Sequence, residues 1–277
     1  MLPAVPIVNL DYMTKPCVAA SSYLNAAPLC YTFVRGEQKD SCTFLSDRAP
    51  ARCAELLDEG RADAALIPVI EYQRVSGLKV APGASIASLK TVRSVVLASK
   101  VPIADVRSVA LDTSSRTSAA LIQIILSKFN SITPAYRAWA PDLPTMLESN
   151  DAALMIGDPA MLIDRSALHV YDLAQEWRNH TGLPFVFAFW AVRKDSKVWP
   201  GDVDFIRGKE EGLGHINDIA DEYSASLGLP REDLIGYLTE NISYDLDAES
   251  LRGLSLYFDL AKECGLISKV TQLEFLE

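Results

Sequence analysis

One pattern constrains this 277-residue chain more than any other: a helix-then-strand unit that occurs twice with partly shared letters. ELLDEGRADAALIP covers 55–68 and TMLESNDAALMIGDP covers 145–159, and both contain DAAL, at 63–66 and at 151–154. Four letters recur easily by chance, so the weight lies in what surrounds them. The first half reads as strand 17–20, helix 26–34, strand 42–45, helix 50–59 closed by Gly60, and strand 62–67. The second reads as strand 107–111, helix 117–129 with Ile122, Ile125, Leu126 and Phe129 on one face, strand 135–139, helix 142–149 and strand 152–156. The order is the same, which predicts two α/β lobes built on mainly parallel sheets. Two further strand-like runs, SVVLAS at 94–99 and FVFAFWAVR at 185–193, stand where a chain would pass between lobes, and two crossings make a hinge. The expected division is 1–100 with 193–277 as one lobe and 101–192 as the other.

From Val203 onward the pattern is helical. Phe205, Ile206, Leu213, Ile216, Ala220 and Tyr223 mark one helix closed by Gly228; Pro230 opens a second; Leu251, Leu254, Phe258 and Ala261 mark a third closed by Gly265. This tail is expected to pack on the first lobe, and its lack of clustered polar motifs points to a structural role.

Composition excludes several classes of function. With 26 Lys+Arg against 36 Asp+Glu and no basic cluster, the chain carries a formal charge of −10, which argues against a nucleic-acid or anionic-membrane surface. The longest strongly apolar run, 185–192, is far below the roughly 20 residues a bilayer requires. The first residues, MLPAVPIVNLDYMTKPC, show no basic start, long apolar stretch or small-residue cleavage site, so a cytoplasmic location is expected. The 5 cysteines are odd in number, widely spaced and never C-x-x-C, the pattern of reduced thiols. His169, His180 and His215 stand at no ligand spacing with a Cys or carboxylate, so no metal is expected.

In open α/β sheets ligands bind beyond the carboxyl ends of the strands, which selects three segments. Ser21, Ser22, Tyr23, Leu24 and Asn25 follow the first strand; they suit either a turn or a cleft wall. Asp112, Thr113, Ser114, Ser115, Arg116, Thr117 and Ser118 lie between a strand and the helix it opens. A helix N-terminus offers unpaired N–H groups and partial positive charge, and the five hydroxyls with Arg116 around it suit a carboxylate or phosphate. Ordinary capping by Ser114 or Ser115 needs only one or two of them. Gly157, Asp158 and Pro159 end the matching strand, with Asp158 a candidate base or hinge-side cap; Glu71, in the corresponding place of the first lobe, reads as a cap for the helix that follows. Ser94 opens the first crossing strand, where side chains would face the cleft. No G-x-S-x-G elbow, nucleotide P-loop or dinucleotide fingerprint occurs. Chemistry here has to work by positioning and electrostatics with hydroxyls, an amide, Arg116 and Asp158.

The same residues carry a resemblance. SYLNAAPL (22–29), AALIPVIEYQ (64–73), SVVLAS, ALDTSSRTSAAL (110–121), DAALMIGDPAM (151–161), YDLAQEW (171–177) and TGLPFVFAFWAVR (181–193) resemble the chorismate dehydratase family of menaquinone biosynthesis, in order from about 17 to 193 and more weakly in the tail. Small departures fall before Cys17 and at Ala19, Ala20 and Ser21, where a glycine-containing version is usual. The resemblance implies a type II periplasmic-binding-protein-like fold, two α/β lobes around a central cleft joined by two crossing strands. It implies loss of water from chorismate to give 3-[(1-carboxyvinyl)oxy]benzoate in the futalosine route, without metal or organic cofactor and with a small-molecule substrate as partner. Asn25 and Ser94 would stand at the reacting centre and residues 114–118 would seat a substrate carboxylate, with Ser22, Tyr23, Thr113 and Asp158 nearby. Two alternatives stay open: the dihydroxynaphthoate synthase of the same pathway, which is thought to need an active-site histidine, and a solute-binding protein for an aromatic carboxylate.

Overall fold

The computed structural model of the chain describes residues 15–196 and 203–277. Residues 1–14, most of the stretch read above for a leader, lie outside the described residues.

Among the described residues, strands form two five-stranded sheets of the same design. In lobe 1, β1 (Cys17–Ser21) pairs in parallel with β2 (Thr43–Asp47) and with β3 (Ala64–Pro68). The last strand, β10 (Phe185–Arg193), runs antiparallel between β3 and β4 (Leu78–Ser88). In lobe 2, β6 (Ser108–Asp112) pairs in parallel with β7 (Ala135–Trp139) and β8 (Ala152–Ile156). There β5 (Val95–Ser99) runs antiparallel between β8 and β9 (His169–Asp172). The orders β2-β1-β3-β10-β4 and β7-β6-β8-β5-β9 superimpose term for term.

This pairing corrects the expected division of the chain. The run 94–99 belongs to the sheet of lobe 2 and the run 185–193 to that of lobe 1. The segments that pass between lobes are therefore those before β5 and before β10. Each strand completes the sheet it enters, because the exposed edge of β8 or β3 would otherwise lack backbone partners.

The repeated DAAL has a structural meaning. Asp63, just before β3, accepts the amide of Cys17 at the start of β1 through Oδ2 at 2.8 Å. Asp151, just before β8, accepts the amides of Arg107 and Ser108 at the start of β6, at 3.0 and 3.1 Å. The same carboxylate ties the third strand to the first in each lobe, and the three apolar residues that follow are buried in each. Central strands covered on both faces read as unbroken apolar runs, as Val18, Ala19 and Ala20 do at 0% exposure.

Helices α1 (Ala27–Val34) and α2 (Pro50–Asp58) belong to lobe 1. Helices α3 (Arg116–Ile124), α4 (Leu143–Ser149), α5 (Gly157–Met161) and α6 (Leu173–Thr181) belong to lobe 2. The expected helix 117–129 is α at its start only and passes into a π-helical turn at Ile125–Phe129. The tail departs more. Its expected first helix is two, α7 (Phe205–Gly214) and α8 (Ile216–Leu227), broken at His215 beside the weak helix former Gly214. Helix α7 packs tightly on α1, and a Cβ at Gly212 would collide with the carbonyl of Pro28. Then come α9 (Arg231–Gly236), which runs into a second π-helical turn at Tyr237–Asn241, and α10 (Ala248–Glu263). Tyr257 of α10 packs edge-on against Phe185 and Trp177 and donates to the carbonyl of Thr117 at 3.0 Å. The tail thus reaches beyond lobe 1 to α3 of lobe 2.

Candidate functional site

The lobes meet over a cavity at the carboxyl ends of both sets of parallel strands. Ser21, Tyr23, Asn25, Pro50, Pro68 and Phe187 line it from lobe 1, and Val95, Ser115, Thr117, Ser118, Ile156 and Gly157 from lobe 2. Leu66 and Ile86 add to an apolar floor, and about 500 Å³ of space, its mouth included, is free of protein atoms.

Several contacts hold the lobes together around it. The Leu24 amide donates to Asp158 Oδ1 at 3.0 Å, the Ile70 amide to Thr117 Oγ1 at 3.3 Å, and the Ala51 amide to the Ser114 carbonyl at 3.2 Å. Arg116 bridges to Glu71 at 2.8 Å and Glu55 at 2.7 Å. The Tyr23 ring lies flat against Gly157, whose φ of +66° and missing Cβ make room for it; a Cβ there would come within 2.7 Å of the ring.

The hydroxyl-rich start of α3 caps its helix and also stands in the cavity wall. Ser115 caps the helix, its side chain accepting the Ser118 amide at 3.2 Å. Thr117 Oγ1 accepts from lobe 1. An accepting hydroxyl keeps its own proton, so both can still donate into the cavity that they line beside Ser118. Ser114 does not line it, since its Oγ donates to Asp112 Oδ1 at 2.6 Å below the surface. Thr113 is exposed away from it.

Three expected roles change. Arg116 is spent: with Glu71 and Glu55 on its guanidinium it ties the lobes together and is not a free cation for a ligand. Glu71 is no cap, because its buried carboxylate is shared by Arg116 and Arg74. Ser22 is exposed and lines a groove on the outer face of lobe 1, its carbonyl held by the Tyr223 hydroxyl at 2.9 Å.

Asn25 reaches the cavity from a 3₁₀ turn at Leu24–Ala26 that continues into α1. Ser94 is fully buried one layer behind. Its Oγ accepts the hydroxyl of Tyr237 at 2.6 Å and donates to the Val92 carbonyl at 3.3 Å. Sequence reasoning missed Tyr237, since among Leu234 and Leu238 an aromatic at helical spacing signals only core. Burial pushes the pKa of its hydroxyl well above the usual tyrosine value.

Burial likewise pushes the Asp158 carboxyl up to about 6, against the lowering effect of the Leu24 amide. Asp158 sits beside the cavity rather than in its wall. Tyr23, half-buried over Gly157, is raised by desolvation, which its bond to Ser114 only partly offsets. Among the described residues no group of three His, Cys, Asp or Glu side chains could hold a metal ion, and no helix is long and apolar enough to cross a membrane.

With this geometry in place, comparison with known proteins is decisive about family. A family model described as menaquinone biosynthesis matches residues 16–263. The chain belongs to that family. It is 30% identical over 254 residues to the chorismate dehydratase of Thermus thermophilus, covering 85% of this chain and 91% of that protein. The fold is that of periplasmic binding proteins. A protein of Archaeoglobus fulgidus solved by structural genomics superimposes with a TM-score of 0.72 at 17% identity, over 91% of this chain and 98% of its own. The alkanesulfonate-binding protein of Xanthomonas axonopodis pv. citri superimposes with a TM-score of 0.69 at 15% identity, over 92% and 95%. Both crossings and the doubled lobe are features of this family member that the duplicated sequence had announced.

Proposed function

We propose that this protein is a chorismate dehydratase that works without a metal or an organic cofactor. One observation carries the reading: a family member's interlobe cavity sets the donor hydroxyls of Ser115, Thr117 and Ser118 opposite Asn25 across an apolar floor. That arrangement suits a flat ring bearing carboxylates. The start of α3 would seat the ring carboxylate, helped by the helix dipole. Leu66, Ile86, Ile156 and Phe187 would cover the ring faces.

In the reaction the ring carbon that bears the enolpyruvyl ether gives up its proton, and the electrons spread through the diene toward the ring carboxylate. The carbon–oxygen bond of the neighbouring hydroxyl then breaks, the hydroxyl leaves with a proton as water, and the ring becomes aromatic. The substrate's own enolpyruvyl carboxylate is the base in this reading. No histidine lines the cavity, and Asp158, engaged by the Leu24 amide, is assigned to holding the lobes. Asn25 orients the enolpyruvyl group and the departing hydroxyl. Contacts between the lobes exclude water, which strengthens each of these hydrogen bonds.

Incubating the purified protein with chorismate, with chelator and without added metal, tests the reading directly. Mass analysis should show loss of one water, and the ultraviolet spectrum should become that of a substituted benzoate. Unchanged chorismate would reject the activity; turnover that stops on chelation and returns with a divalent ion would reject only its metal independence.

A further inference from the structure

Two consecutive residues of lobe 2 grip two consecutive residues of lobe 1 beside the cavity. The Tyr23 ring lies on Gly157, and the next amide, that of Leu24, donates to Asp158 Oδ1 at 3.0 Å across 134 positions. The residue that follows is Asn25. Tyr23, Asn25 and Gly157 all line the cavity, so this grip is built into its wall.

The local sequence explains why the turn that presents Asn25 needs a partner from the other lobe. Asn25 is the middle residue of the 3₁₀ turn Leu24–Ala26, which the Ala26 amide closes on the Tyr23 carbonyl at 2.9 Å. The first amides of such a turn have no acceptor within it, and a Ser, Thr, Asn or Asp in the preceding place commonly serves. Here that place is held by Tyr23, whose side chain makes no capping bond. Leu24 is fully buried, so water cannot satisfy its amide instead. Asp158 supplies the missing acceptor from lobe 2 and acts as a cap in trans. Its own position is fixed: it stands in the first turn of α5, and the neighbouring Gly157 amide donates to the Ser94 carbonyl at 2.8 Å, at the head of β5. The cap is thus mounted on the sheet of lobe 2.

Three further contacts between the lobes touch other segments. The Ala51 amide meets the Ser114 carbonyl, the Ile70 amide meets Thr117, and Arg116 meets Glu55 and Glu71. Holding the lobes together therefore does not demand a buried carboxylate, which is costly to desolvate. The carboxylate stands at the one contact that adjoins Asn25.

Resting on the dehydratase reading, we infer that Asp158 is a positioning residue for the reaction: it caps from lobe 2 the turn that carries Asn25 in lobe 1, so that contact between the lobes and placement of Asn25 are one event. Asn25 touches the substrate, and Asp158 acts through it.

Steady-state turnover of chorismate by the full chain is compared with that of Asp158→Ala, Asp158→Asn and Arg116→Gln, with binding of 3-[(1-carboxyvinyl)oxy]benzoate and thermal stability measured alongside. At saturating chorismate, kcat of Asp158→Ala should fall about 10–100-fold, the scale for a misplaced catalytic group. Asp158→Asn keeps an acceptor for the Leu24 amide and should stay within about fivefold of the wild type. Arg116→Gln breaks a contact between the lobes away from Asn25, so its loss should appear in KM and product binding, with kcat within about threefold. An unchanged kcat in Asp158→Ala overturns the inference. So does an Asp158→Asn variant as slow as Asp158→Ala, which would make the carboxylate itself the requirement, or an equal fall of kcat in Arg116→Gln, which would reduce Asp158 to one tie among several. Should Asp158→Ala fail to fold, an ester in place of the Leu24 amide removes only the donor, leaves Asp158 in place and decides by the same split of kcat from KM. A wild type that leaves chorismate intact overturns the functional reading and this inference with it; an active wild type with an unimpaired Asp158→Ala overturns the inference alone.

Discussion

The two lobes are built alike and furnished differently. Each has the same strand order, and each uses an Asp before its third strand to hold the start of its first, Asp63 in one and Asp151 in the other. The segments after the strands have diverged. In lobe 1 the second helix opens on Pro50 with no side-chain cap, and Asn25 arrives on a 3₁₀ turn. In lobe 2, α3 opens on Ser115 with Thr117 and Ser118 behind it. The duplicated part is scaffold, held in common because sheet closure and strand anchoring have few solutions. The chemistry lies in post-strand segments, which can change without disturbing the sheets. Under the proposed function, lobe 2 supplies the anion seat and lobe 1 the side that acts on the ring.

The largest expected effect is on the acting side. Asn25→Leu should lower kcat about 10²–10³-fold, in line with loss of a preorganised polar group, while a product-like benzoate still binds. Titration of that benzoate against the variant checks it, and lost binding would erase the division between lobes. Next comes Gly157→Ala, which joins positive-φ strain to a collision with the Tyr23 ring. We expect a loss of about 2–4 kcal/mol in the contact between lobes, seen as weaker product binding and a lower Tm. On the seating side, Ser115→Ala or Thr117→Val should weaken binding by about 1–3 kcal/mol with kcat little changed, since a hydrogen bond to a charged group is lost. A fall in kcat at constant KM would move these hydroxyls to the reacting centre.

Asp158→Asn should change turnover least, within about fivefold, because the amide can still accept from Leu24 and the base lies on the substrate. An inert variant that binds chorismate normally would place the base on lobe 2. The same variant carries a pH signature. The folded-state value of about 6 stands above the 3.8 of an ordinary aspartate, so the folded protein holds this proton more tightly than the unfolded chain. The stability this contributes is complete below about pH 4 and lost as pH rises through about 6, a span of up to about 3 kcal/mol. Melting curves across that range should slope less for Asp158→Asn, which should be the more stable form above it.

Much of this was legible in the residues. The repeated helix-strand order and the two apolar runs at 94–99 and 185–193 announced two lobes and two crossings. The five hydroxyls around the start of α3 marked a polar wall, and Ser115, Thr117 and Ser118 stand in it. Which lobe each crossing strand would join was not legible, because an apolar run fits the open edge of either sheet. Arg116 read as a ligand cation, yet Glu55 and Glu71, 61 and 45 positions away, take it up once the lobes meet.

What the sequence by itself determined is whatever depends on neighbours along the chain: strand and helix periods, the paired Asp of DAAL, the cap at Ser115, and the family to which these motifs belong. Tertiary structure alone decided what depends on distant parts meeting. It buried Asp158 enough to raise its pKa, turned Arg116 into a bridge between lobes, and brought Tyr237 from the tail onto Ser94, 143 positions away. The physical reason is that burial and hydrogen-bond partnership belong to a place in space, and a tyrosine among leucines has the same local pattern whether its hydroxyl ends in the core or beside a site.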